Sequence, residues 1–138
     1  MINQTNGRPM EILLVEDNPG DVRFTSEVLK EAQVRNNLSV AKDGVEAIAF
    51  LRREGQFLDA PRPDLILLDL NLPKKNGLEM LNEIKSTEDL KGIPVVILTT
   101  SEAEPDINKS FDLSANCYIT KPIDVERLTM VMNSIKES

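Results

Sequence analysis

The 138-residue chain has no histidine and no tryptophan, one cysteine, and an aromatic content of only 4%. Each shortage excludes something. Without histidine there is no Ser-His-Asp or Cys-His nucleophilic system and no histidine-bearing zinc or haem site. A lone cysteine, Cys117, cannot close an internal disulfide, which fits a reducing cytosol. So few aromatic residues leave the core to Ile, Leu, Val and Ala. Positive charge is also short: 16 Lys and Arg against 23 Asp and Glu give a net charge of −7. That balance disfavours nucleic acid and anionic membrane surfaces as partners. The apolar runs at residues 12–15, 65–68 and 95–98 are four residues long, too short to cross a bilayer. The N-terminus also lacks the charged and apolar regions of a signal peptide. The expectation is a cytoplasmic protein whose chemistry rests on Asp, Glu, Lys, Ser, Thr, Tyr or Cys, with carboxylates first.

Residues 1–9 are polar and rich in turn formers and read as a flexible leader, with one domain over 10–138. Five strands are expected near residues 11–15, 38–41, 64–69, 93–99 and 117–119. A helix should follow each. The first runs to about Gln33, opened by Asn18 as cap and Pro19 at the first position, with Asp21 at the positive end of the helix dipole. Its apolar set is Val22, Phe24, Val28, Leu29 and Ala32. The second starts at Asp43-Gly44, carries Val45, Ile48, Ala49 and Leu51, and ends near Glu54-Gly55. Residues 55–63 read as a surface loop. Asn76 and Glu79 fit a capping box for the third helix, with Leu78, Leu81 and Ile84 on one side. The fourth starts at Ser101 or Pro105. The fifth is marked by Val125, Leu128, Met132 and Ile135.

The third and fourth strands are continuously apolar, as strands buried on both faces of a parallel sheet must be. Alternating strands and helices therefore predict a flavodoxin-like three-layer α/β/α sandwich, with a five-stranded parallel sheet in the order 2-1-3-4-5. In that topology a crevice opens at the carboxyl ends of strands one and three, where the order reverses. Glu16 and Asp17 close strand one and Asp69 closes strand three. Three carboxylates brought together repel, and a divalent cation relieves the repulsion. Mg²⁺ suits such a site, since it takes one or two carboxylates, waters and a phosphate oxygen. Lys121, after strand five, can reach the same crevice and pair with a phosphoryl oxygen, and Thr99 ends strand four between them. Taken singly, each has a plainer reading: strand-end acids cap helices, and a lysine before a proline is a solvated loop residue.

Glu16-Asp17, Asp69 with Pro73 and Gly77 behind it, Thr99 and Lys121-Pro122 occur in order, each in its expected element. With these anchors the chain resembles the receiver domains of two-component response regulators over roughly residues 10–137. The resemblance implies that Asp69 takes a phosphoryl group from a phosphohistidine on a sensor histidine kinase. Glu16, Asp17, Asp69 and the backbone carbonyl of Asn71 would form the Mg²⁺ shell, directly or through water. Thr99 and Lys121 would bind the phosphoryl oxygens, and a cis bond would precede Pro122. Glu16 stands where many members have Asp. Asn71 and Ser101 would tune the return to the unphosphorylated state. Thr99 and Tyr118 would form the switch, repacking the face made by the fourth helix, fifth strand and fifth helix for a downstream protein. Apolar residues on the last two helices offer a homodimer face. The segments GDVRFTSEVL, DGVEAIAFLRREG, PRPDLILLDLNLPKKNG and NCYITKP are similar to the single-domain regulators paired with bacterial phytochrome kinases.

The implied protein is a self-phosphorylating and autodephosphorylating switch, not an enzyme on external substrates. With the chain ending after the fifth helix, output is expected to pass to another protein. A phosphorelay intermediate or a phosphate-independent docking module is the alternative. An aspartyl phosphatase would want a second Asp where Asn71 stands. A flavin site would want a Ser/Thr/Gly loop where Glu16-Asp17 stands.

Overall fold

The computed structural model describes residues 8–69, 77–99, 117–121 and 123–136. The strands are β1 (Met10–Val15), β2 (Asn36–Ala41), β3 (Leu65–Asp69), β4 (Val95–Thr99) and β5 (Cys117–Thr120). All neighbours pair in parallel, in the order β2-β1-β3-β4-β5. The helices are α1 (Pro19–Glu31), α2 (Gly44–Leu51), α3 (Gly77–Ser86) and a C-terminal helix (Val125–Lys136). The helix expected after β4 lies outside the described residues.

Alternate strand residues feed two separate cores. Leu13, Val15, Ile66, Leu68, Val95 and Ile97 face α2 and α3, meeting Ile48, Phe50, Leu81 and Ile84. Ile12, Leu14, Leu65, Leu67, Val96 and Leu98 face α1 and the C-terminal helix, meeting Val28, Leu29, Leu128 and Met132. β3 and β4 are therefore apolar up to their last residues, Asp69 and Thr99, because the positions before them face the two cores.

Several local expectations are corrected. Phe24 is 45% exposed and Val45 54% exposed, so neither belongs to its helix's buried stripe. In α1 that place is taken by Thr25, Val28 and Leu29. Arg8, which the sequence places in the leader, donates to Asp64 from both terminal guanidinium nitrogens, at 2.9 and 3.1 Å. Asp64 precedes β3 rather than opening it, and accepts the Glu11 N–H at 2.8 Å. The loop after α2 contains a 3₁₀ turn, Gly55–Phe57, whose Phe57 ring packs on Phe50 at 5.5 Å between centroids.

Helix α2 ends at Leu51, earlier than its sequence suggests. The Arg53 N–H donates to the Phe50 carbonyl at 3.1 Å and the Glu54 N–H to the Ala49 carbonyl at 2.9 Å. This is the Schellman pattern, which needs a left-handed residue, usually glycine, just past the helix. Arg53 fills it with φ of 56°, and no other non-glycine among the described residues has positive φ. Replacing it removes the steric cost of a Cβ in that conformation. Arg53→Gly is expected to stabilise the fold by about 1 kcal/mol in urea unfolding, whereas Arg53→Ala, which keeps the Cβ, gives no such gain.

Candidate functional site

Register brings the acidic residues together. Val15 pairs with Leu68, so the next residues, Glu16 and Asp69, emerge side by side from the carboxyl ends of β1 and β3. The Glu16 N–H still donates to the Ala41 carbonyl of β2, at 2.9 Å, so its backbone is held as a strand. Thr99 pairs with Thr120, and Lys121 follows directly at the same sheet edge.

Glu16 and Asp69 are buried, at 1% and 5% exposure, while Asp17 is exposed. One carboxylate oxygen from each of the three lies within 4.8 Å of the others. Lys121 enters this cluster. Its Nζ donates to Glu16 Oε1 at 2.9 Å, to Asp69 Oδ2 at 3.1 Å and to Asp21 Oδ2 at 3.1 Å. An ammonium has three protons, and here three carboxylates take them.

The charges reshape one another. Burial raises the Glu16 carboxyl, its hydrogen bond to Asp69 raises it further, and Lys121 pulls it back, leaving it at about 7. Burial works to lower the Lys121 ammonium. The hydrogen bond to Glu16, the charge of Asp69 and the bonds to Asp21 and Asp69 outweigh it and hold Lys121 above its ordinary value. Among the described residues the site is therefore an acidic cluster around the Lys121 ammonium, with Glu16 and Asp69 buried at its centre.

Glu16, Asp17, Asp69 and Lys121 are thus brought together as the sequence suggests. Thr99 and Tyr118 are placed by backbone at the end of β4 and within β5, and Gly77 opens α3. Asn71, Pro73, Ser101 and Pro122 lie outside the described residues. Asp21 belongs to the cluster but was assigned only a helix-dipole role.

Among the described residues the donor set fits a hard divalent cation: three carboxylates, no nitrogen or sulfur ligand, and negative charge in excess of the Lys121 ammonium. A family model for the response regulator receiver domain matches residues 12–133. The chain belongs to the receiver domain family. Receiver domains in general are phosphorylated and bind Mg²⁺ or Mn²⁺ at an acidic pocket. This receiver domain is 49% identical to response regulator Rcp1 of Synechocystis sp. over 128 residues, 93% of this chain and 87% of Rcp1. It superposes on the phosphorylated cyanobacterial phytochrome response regulator RcpA with a TM-score of 0.78. That match has 51% identity and covers 92% of this chain and 91% of RcpA. The Mn²⁺-bound form of Rcp1 also aligns with a TM-score of 0.78, at 50% identity, over 92% of this chain and 91% of the other. The receiver domain is thus related to phytochrome response regulators. No helix among its described residues is long and apolar enough to cross a membrane.

Proposed function

We propose that this receiver domain accepts a phosphoryl group on Asp69 from the phosphohistidine of a phytochrome-type sensor kinase, and returns to rest by hydrolysis. The observation that carries the reading is the Lys121 ammonium held 3.1 Å from the Asp69 carboxylate inside a cluster of acids. A carboxylate is a weak nucleophile, so the site must position it and offset the charge of the incoming group. In the transfer a carboxylate oxygen of Asp69 forms the new O–P bond as the histidine N–P bond breaks, the electron pair returning to the imidazole. Lys121 already donates to Asp69, and passes that hydrogen bond to an oxygen of the arriving phosphoryl group. Glu16, Asp17 and Asp69, with the Asn71 carbonyl, would hold Mg²⁺, which when bound supplies positive charge to the phosphoryl oxygens.

Reset is attack of water on phosphorus, which releases phosphate and restores the Asp69 carboxylate. On this reading the protein is a switch and not a turnover enzyme. Thr99 and Tyr118 report the phosphate to the surface formed by β5 and the C-terminal helix, where a downstream protein or a second copy docks. Likeness to Rcp1 and RcpA supports the light connection. Phosphotransfer from autophosphorylated sensor kinases tests it. A red-light-sensing phytochrome kinase should label Asp69 within seconds to minutes, well ahead of kinases of unrelated sensory class. Equal or slower labelling by the phytochrome kinase would remove the light assignment and leave the phosphoacceptor role standing.

A further inference from the structure

Asp21 does not act as its place in the helix suggests. It occupies the third position of α1, behind the cap Asn18, whose Oδ1 accepts the Asp21 N–H at 3.1 Å. An acid there ordinarily reaches back to the cap's own backbone N–H. Here that N–H faces Glu16 Oε2 instead, at 3.5 Å, and the Asp21 carboxylate is turned across the crevice to Lys121, 100 residues away in sequence. Among the three carboxylates that hold Lys121, Glu16 and Asp69 also belong to the metal-binding trio, and Asp21 does not. A cation held by the trio competes with Lys121 for two of its three partners. It leaves the third untouched.

We infer that Asp21 is a positioning residue that keeps Lys121 aimed at Asp69 when a divalent cation occupies the carboxylate trio. The inference rests on the phosphoacceptor reading, but part of its test does not. Asp21 is half-exposed, at 46%, so the pair is screened and its strength modest. The first measurement is a double-mutant cycle of Asp21→Ala and Lys121→Ala in urea unfolding, with and without Mg²⁺. The coupling is expected to change the unfolding equilibrium by about two- to fivefold and to persist in saturating Mg²⁺. The parallel Glu16–Lys121 coupling should shrink as Mg²⁺ is added.

The second measurement is the rate of labelling by acetyl phosphate at saturating Mg²⁺. Asp21→Ala should slow it by about two- to fivefold, with Mg²⁺ affinity changed less than twofold, and Asp21→Glu should recover most of the loss. The Asp21→Ala effect should be absent in the Lys121→Ala background, where a general field effect of the lost charge would survive. Loss of the Asp21–Lys121 coupling in Mg²⁺ overturns the inference. So does labelling of Asp21→Ala at or above the wild-type rate. Failure of the wild-type protein to label at all overturns the phosphoacceptor function, a result distinct from either.

Discussion

Asp69→Asn is expected to abolish the Mg²⁺-dependent gain of one phosphoryl group that mass spectrometry should detect after treatment with acetyl phosphate. The loss should be complete, because an amide oxygen carries no charge to spend on phosphorus, while the substitution is nearly isosteric. The altered protein should also fold well. Asp69 helps raise the Glu16 carboxyl, so removing its charge relieves repulsion in a buried site and should make the metal-free protein more stable above about pH 7. Lost labelling alongside a raised urea midpoint would therefore separate chemistry from collapse. Chelation of Mg²⁺ should abolish labelling of the wild-type protein without any substitution. Labelling that persists in Asp69→Asn would move the acceptor to another side chain, with buried Glu16 the nearest candidate. No labelling of the wild-type protein, under conditions that label another receiver domain, would leave a phosphate-independent docking module.

Most of the fold was written in apolar runs. Residues 65–68 and 95–98 are apolar at every position, and each residue now sits in one of two cores on opposite faces of the sheet. Once strand order is given, the trio of Glu16, Asp17 and Asp69 follows, because residues after parallel strands share one edge. Periodicity was less informative at the helix margins. Phe24 lies four residues from Val28 yet is left nearly half-exposed, since the buried stripe of α1 runs through Thr25 and Leu29. A hydroxyl gave no apolar signal, and a phenyl ring gave a false one. The end of α2 was hidden for a different reason: arginine is a good helix former, so nothing in residues 51–54 announced that Arg53 adopts the conformation usually given to glycine. Asp21 was hidden because helix position alone gave it a complete explanation. Its partner became visible only when β5 delivered Lys121 across the crevice.

Lys121→Ala should expose how strongly the cluster depends on this lysine. Three carboxylates would lose a partner with 19% side-chain exposure, two of them almost wholly buried. Removing one member of a buried ion pair costs about 3–5 kcal/mol, since the charge left behind is neither paired nor hydrated. The cost should depend on pH through Glu16. In the wild-type protein its folded carboxyl, at about 7, lies above the unfolded model value of 4.5. The folded state therefore binds more protons between these values. The protonated carboxyl's contribution is complete below about pH 4.5 and is lost as pH rises through 7, a change of up to about 3 kcal/mol. Lys121 is among the groups that lower Glu16, so its removal extends that loss to higher pH. The lysine's own titration, raised above 10.5, contributes fully below that value and is lost only above it, outside this range. Urea unfolding of Lys121→Ala should thus show a deficit at both pH 5 and pH 8, larger at pH 8 by up to about 1.4 kcal/mol. Saturating Mg²⁺ should recover a large part of the deficit near pH 8, because it binds the folded cluster and replaces the missing positive charge, adding about 2.7 kcal/mol at a hundredfold excess over its dissociation constant. A deficit that is the same at both pH values, and indifferent to Mg²⁺, would mean that Lys121 stabilises the fold by packing its methylenes and not by neutralising the site.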